Sequence, residues 1–185
     1  MPVPFVLVMG VSGCGKTTIG RALAARLDWR FRDGDEFHDP ANIEKMRAGE
    51  PLDDIDRAPW LASIACWMDA RSRESVAAVV ACSALKRRYR DFLREHRPQA
   101  WFLYLRVPRR ELEGRLQTRH HSYMPASLLD SQLQALEEPA SQEPRTITLD
   151  AANDVENVVE SALRELRFHG LLERASVPSD GCGSA

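Results

Sequence analysis

The residues with the most specific chemistry stand close together near the start: Gly10, Val11, Ser12, Gly13, Cys14, Gly15, Lys16, Thr17 and Thr18. Gly10, Gly15, Lys16 and Thr17 satisfy G-x-x-x-x-G-K-[S/T], in which glycines let successive backbone N–H groups converge on phosphate oxygens. The pattern implies a nucleoside triphosphate, with Lys16 reaching the β- and γ-phosphates and Thr17 ligating Mg²⁺. Cys14 sits inside this loop beside Lys16 and near a helix N-terminus. Both neighbours favour a reactive thiolate, against the plainer reading of a small buried residue. A second group, Asp33-Gly34-Asp35 with His38, offers carboxylates for magnesium or for an acceptor hydroxyl, or else a solvated Asp-Gly turn. Arg57 suits a carboxylate gripped bidentately or a pairing with the neighbouring aspartates. Lys86 and Arg90, one helical turn apart, suit contacts to an anionic substrate or a solvated face. Arg115 and Arg119 share an i,i+4 spacing, so both can point one way; Arg115 is expected to contact the nucleotide and Arg119 to meet the transferring phosphate.

These side chains need elements to carry them. Phe5-Val6-Leu7-Val8-Met9 is an uncharged, β-branched-rich run too short for a core helix, so it reads as a fully buried strand ahead of the loop. A helix over Lys16–Leu27 follows, and its N-terminus adds a positive dipole end to the phosphate site. A strand over 29–32 then delivers Asp33 and Asp35. Ligands in open α/β sheets sit beyond the carboxyl ends of strands, so this acidic turn is expected beside the phosphate loop. Helices over 40–47 and 54–74 form a helical insert, broken at Gly49 and Pro51. Strands over 76–82, 101–107 and 145–150 alternate with helices over 86–95, 108–118 and 127–138, and a last helix is capped by Asn153 or Asp154. The segment 119–126, with His120, His121, Ser122 and Tyr123, has no strong period and reads as a mobile lid. The expected fold class is α/β, in three layers: a five-stranded parallel sheet with helices on both faces, the helical insert and the lid. Residues 1–175 form one domain, and 176–185 a disordered tail.

Composition narrows the partners. The 185 residues, 44% hydrophobic with a formal charge of -2, suit one globular domain and provide no basic field for nucleic acid or an anionic membrane. The first basic residue is Lys16 and no apolar run approaches membrane-spanning length, which points to a soluble, cytoplasmic protein. Cys14, Cys66, Cys82 and Cys182 lack C-x-x-C spacing and suit reduced thiols. Among 25 basic residues only Lys16, Lys45 and Lys86 are lysine. A lysine retained in an arginine-rich chain suggests a need for a compact ammonium.

Beyond the phosphate loop, the motifs join into a longer pattern. Asp33-Gly34-Asp35-x-x-His38 is followed by Asn42-Ile43-Glu44-Lys45-Met46-x-x-Gly49-x-Pro51-Leu52-x-Asp54-x-Asp56-Arg57-x-Pro59-Trp60-Leu61. Later come Cys82-Ser83-Ala84-Leu85-Lys86-x-x-Tyr89-Arg90-Asp91 and Leu128-Leu129-x-Ser131-Gln132-x-x-x-Leu136-Glu137-x-Pro139. Over residues 5 to 168 this resembles gluconokinase of the small P-loop type. The resemblance implies a P-loop NTPase fold like that of nucleoside monophosphate kinases, ATP-dependent phosphorylation of D-gluconate with Mg²⁺, and frequent pairing as a homodimer. The residues agree with that inference: Lys16, Asp35 and Arg119 are the expected catalytic side chains, Asp35, His38, Arg57, Lys86 and Arg90 offer hydroxyl acceptors and cations for an anionic polyol, and Thr17 and Asp33 are the expected metal contacts. The chain departs from the family at Ser122-Tyr123, where His-Phe is usual, and at Cys14, where Ser or Ala is common. Another small-molecule kinase of the same fold, for shikimate or a nucleoside monophosphate, is the nearest alternative. A nucleotide-binding switch is a further one, although no Asn-Lys-x-Asp guanine signature occurs.

Overall fold

The computed structural model describes residues 3–95, 97–117 and 127–172. Five strands, β1 (Phe5–Met9), β2 (Arg30–Asp33), β3 (Ala78–Ala81), β4 (Ala100–Arg106) and β5 (Thr146–Asp150), form one parallel sheet in the order β2-β3-β1-β4-β5. Between them run α1 (Lys16–Leu27), α2 (Pro40–Arg47), α3 (Asp54–Arg73), α4 (Arg87–Glu95), α5 (Arg109–Gln117) and α6 (Ser127–Ala135), and α7 (Val155–Phe168) closes the described chain. The expected lid at 119–126 and tail at 176–185 lie outside the described residues.

β1 is central because its two faces are equally apolar. Val6 and Val8 pack with Ile19 and Leu23 of α1 and with Val158 and Leu163 of α7. Phe5, Leu7 and Met9 point the other way, onto Trp60, Ile64 and Met68 of α3 and Leu93 of α4. Burying each such side chain contributes about 2 kcal/mol, so only a strand covered on both sides uses this sequence fully. The parallel register follows, with Val6 opposite Val79 on one side and Trp101 on the other.

Two element boundaries move from their sequence positions for local reasons. Asp28 adopts a left-handed conformation (φ 55°) at the end of α1, and the Trp29 N–H donates to the Ala24 carbonyl. Trp29 therefore completes the helix cap, and β2 starts at Arg30. Val76 N–H still donates to Arg71 O of α3, which delays β3 to Ala78.

The helical insert is held by its own polar residues. Asp39 caps α2, and Asp53 and Asp56 form a reciprocal capping box at the start of α3. Asn42 Nδ2, on a residue 3% exposed, donates to Asp56 O at 2.8 Å, while Lys45 Nζ meets Asp56 Oδ1 at 2.7 Å. The three-residue spacing places both side chains on one face of α2. Lys45 thus has a structural partner.

Arg90 departs from its expected place in an anion site. It is 1% exposed, and its Nε and Nη2 donate to the two oxygens of equally buried Glu143 at 2.6 and 2.8 Å. Its Nη1 donates to Ala84 O and Leu85 O, fixing the turn in which Ala84 takes a left-handed φ of 40°. Burial pushes the Glu143 carboxyl up, but the Arg90 and Arg94 guanidiniums outweigh that and leave it below its ordinary value. Arg90 is a brace between α4 and the segment before β5, not a substrate contact. Arg90→Leu strips Glu143 of its bidentate partner and should cost about 3 kcal/mol or more in urea denaturation, with much of it recovered in Arg90→Leu/Glu143→Leu. Unchanged stability of the single variant would contradict this placement.

Candidate active site

At the carboxyl end of β1 the backbone turns sharply at Gly10, with φ 141°. A Cβ there would lie 2.8 Å from Cys14 Sγ and 3.1 Å from Leu105 O. Gly15, in the left-handed region, is the N-cap of α1 and supplies no side-chain cap. The first N–H groups of α1 are thereby left for an anion. Lys16 Nζ donates to Val11 O at 3.1 Å and bends back over the loop.

The acidic turn lies beside this loop, as expected. Thr17 Oγ1 donates to Asp33 Oδ2 at 2.7 Å. Asp33 Oδ1 accepts from Asp35 N and caps a 3₁₀ turn over Gly34–Phe37, with Glu36 closing the box in return. Gly34 is required by closeness: a Cβ would stand 2.4 Å from the Ala81 carbonyl of β3. Thr17 hydroxyl and Asp33 carboxylate, side by side, are hard oxygen donors of the kind magnesium takes together with substrate phosphates. Among the described residues no cluster of three His, Cys, Asp or Glu side chains is set to hold a metal unaided.

Asp35 follows Gly34 in this turn and is solvent-exposed. Lost hydration raises its carboxyl pKa, Asp33 adds to the rise and Lys16 opposes it. The residue keeps open access to solvent, so water offsets part of that loss. His38 stacks on Trp60 with ring centroids 4.7 Å apart, and the Trp60 indole donates to Gly34 O at 2.7 Å. Burial, aided by the Arg57 charge and opposed by Asp39, lowers the imidazole to about 4. His38 is therefore neutral at physiological pH, suited to hydroxyls rather than to a carboxylate. Arg57 donates from Nε to Leu52 O and forms no ion pair with a carboxylate among the described residues. It lines one cavity with Lys86, Leu85, Tyr89 and Ser131.

Asp54 was quoted within a sequence pattern without a role, and the structure supplies one. It receives Lys86 Nζ at 2.9 Å together with Arg88 and the Tyr89 hydroxyl. The Tyr89 hydrogen bond first, then Lys86, holds its carboxyl well below the usual range. Asp54 thus ties the start of α3 to the start of α4 and holds Lys86 at the cavity edge. On the opposite side of the loop, Arg115 donates to Ala151 O at 2.8 Å and to Cys14 O at 3.5 Å. It shares a cleft with Gly13, Thr18, Asn153 and Val155. Arg119 lies outside the described residues, as do His120–Tyr123.

Cys14 overturns the expectation of a reactive thiolate. Its side chain is 1% exposed, and burial pushes the thiol up against the lowering pull of Lys16. Cys82 is likewise pushed up to about 12 by burial. Iodoacetamide at neutral pH should label exposed Cys66 and spare Cys14 and Cys82, as read by peptide mass mapping, with ATP making no difference. Labelling of Cys14 blocked by ATP would restore the thiolate reading.

A protein-family model described as Shikimate kinase matches residues 12–167. The gluconokinase of Gluconobacter oxydans (strain 621H) is 46% identical over 163 residues, covering 88% of this chain and 91% of that protein. The unliganded crystal structure of a sugar kinase from Janibacter sp. HTCC2649 matches with a TM-score of 0.85 at 48% identity, covering 90% of this chain and 95% of that one. The structure of a gluconokinase from Sinorhizobium meliloti 1021 matches with a TM-score of 0.78 at 41% identity, covering 91% and 98%. With the family model spanning residues 12–167 and such identity over most of both chains, this chain belongs to the shikimate-kinase-like domain family and, within it, to the gluconokinases.

Proposed function

We propose that the chain transfers the γ-phosphoryl group of ATP to the 6-hydroxyl of D-gluconate, giving 6-phospho-D-gluconate and ADP. The observation that carries this reading is the Thr17–Asp33 hydrogen bond, which sets the acidic turn of Asp33 and Asp35 against the phosphate loop. An acceptor carboxylate thus stands beside the loop, and Arg57 and Lys86, which line one cavity, supply cations for the sugar acid.

In this reading each side chain has a role. The loop backbone and Lys16 bind the triphosphate, and Arg115 lines the nucleotide cleft. Arg57 and Lys86 hold the gluconate carboxylate, and neutral His38 meets its hydroxyls. Asp35 accepts a hydrogen bond from the 6-hydroxyl and aligns its oxygen for attack. The new bond joins O6 to the γ-phosphorus while the bond to the β–γ bridging oxygen breaks, and the hydroxyl proton passes to Asp35. A loose transition state needs little early proton removal, so alignment is the larger part of that role. Thr17 and Asp33 would hold Mg²⁺, which when bound supplies charge neutralisation to the phosphates. Arg119 adds positive charge at the transferring group. A cytoplasmic homodimer belongs to the same reading, and sedimentation velocity tests the pairing.

Coupled ADP-release assays with gluconate, shikimate and nucleoside monophosphates test the substrate. Turnover should require gluconate; turnover with shikimate alone would favour the alternative kinase, and slow hydrolysis without any acceptor would favour a switch. Within the gluconate reaction, Asp35→Asn should lower kcat by about 10²-fold or more with ATP affinity little changed. A collapse of ATP affinity would move Asp35 to the metal. Arg119→Ala should lower kcat on a similar scale, about 10²-fold, and unchanged turnover would remove it from the site.

A further inference from the structure

The pattern Leu128-Leu129-x-Ser131-Gln132 has no part in the roles above, yet one of its side chains reaches the phosphate loop. Gln132, 6% exposed, accepts a hydrogen bond at Oε1 from the Ser12 backbone N–H at 2.7 Å, across 120 residues of sequence. The same peptide unit is engaged on its other side. Its carbonyl, Val11 O, accepts from Lys16 Nζ at 3.1 Å and from Cys14 N at 3.3 Å.

A trans peptide is planar, with its N–H and C=O pointing in opposite directions. Holding the Ser12 N–H outward therefore turns the Val11 carbonyl inward, toward the lysine. Gln132 is itself firmly placed: Leu128 and Leu129 of α6 are buried, and the turn after α6 donates Glu137 N to Leu85 O. Gly10 and Gly13 on either side of Val11-Ser12 are permissive hinges, so an anchor from a packed helix has a large effect on how the peptide between them is turned.

We propose that Gln132 is a positioning residue for the phosphate loop: through the Ser12 N–H it locks the Val11–Ser12 peptide so that its carbonyl keeps Lys16 aimed across the site. It touches neither ATP nor the acceptor. The proposal rests on reading residues 10–18 as the triphosphate site, and not on gluconate being the acceptor, so nucleotide binding is the primary measurement.

The test is isothermal titration of a non-hydrolysable ATP analogue with magnesium, alongside amide hydrogen exchange by nitrogen-15 NMR, in the wild type and in Gln132→Leu. The loss of one neutral hydrogen bond to a buried group should weaken the analogue about 10-fold. The Ser12 amide should exchange faster, while gluconate KM stays within about 2-fold. Gln132→Asn keeps the amide but is one methylene too short to reach Ser12, so it should reproduce the same selective loss and serves if the Leu variant does not fold. Wild-type analogue affinity in either folded variant overturns the proposal. So does equal weakening of analogue and gluconate with a lowered melting temperature, which marks a merely structural residue.

Discussion

Backbone N–H groups carry only partial charge, and they hold a triphosphate only when several converge on one point and are kept there without the ligand. That constraint explains the position of β1. A strand buried on both faces, with neighbours on both edges, is the least mobile platform a parallel sheet offers, and the loop leaves from its carboxyl end. The other end of the loop is fixed by α1, whose Ile19 and Leu23 pack on the same sheet. Gly10 N donates to Ser83 O, so the loop is also tied to the turn after β3. That turn is in turn braced by Arg90 and Glu143. A buried ion pair far from any phosphate thus belongs to the same scaffold.

The chain is weakly acidic overall and still has to bind two anions, so the charge must be local. Most cations near the cleft already have an anionic partner: Lys86 with Asp54, Lys45 with Asp56, Arg90 with Glu143. Arg57 is different. Among the described residues its hydrogen bond is to a backbone carbonyl and no carboxylate stands at ion-pair distance, though Asp56 is near enough to feel its charge at the cavity it lines. The lowered pKa of His38 is partly the imprint of that charge, because a second positive group beside Arg57 is unfavourable.

The sheet, the insert and the phosphate loop were legible because each follows from a local rule: apolar runs without charge, glycine spacing, breakers at Gly49 and Pro51. Asp33 and Asp35 were legible for a topological reason, since strand ends in such sheets gather at one edge. Arg90 was misread because sequence spacing shows which residues share a helix face, not whether that face meets solvent or a buried carboxylate. Its partner Glu143 lies 53 residues away in no recognisable motif. Sequence left Cys14 open between a reactive thiolate and a small buried residue, and the structure favours the second for a related reason. The neighbours that lower a thiol's pKa are visible in sequence, whereas the burial that raises it depends on packing against Gly10. Gln132 and Asp54 sat inside quoted patterns, but their partners, a backbone N–H and the trio of Lys86, Arg88 and Tyr89, appear only once the chain has folded.

The scarcity of lysine has a physical resolution that joins these observations. All three lysines make contacts in which a compact ammonium serves and a planar fork fits poorly. Lys16 meets a single carbonyl oxygen inside a tight loop, and Lys45 one oxygen of a carboxylate whose other oxygen serves a helix cap. Lys86 shares Asp54 with a guanidinium and a phenol. Its Nζ reaches both oxygens of that carboxylate, at 2.9 and 3.2 Å, from a single compact head beside the Arg88 and Tyr89 donors. Where the geometry is bidentate and dry, at Glu143, the chain uses arginine instead. At Asp54 and Asp56 the ammonium fits carboxylates already shared with other donors, and Lys86 keeps a rotatable charge at the edge of the cavity it lines.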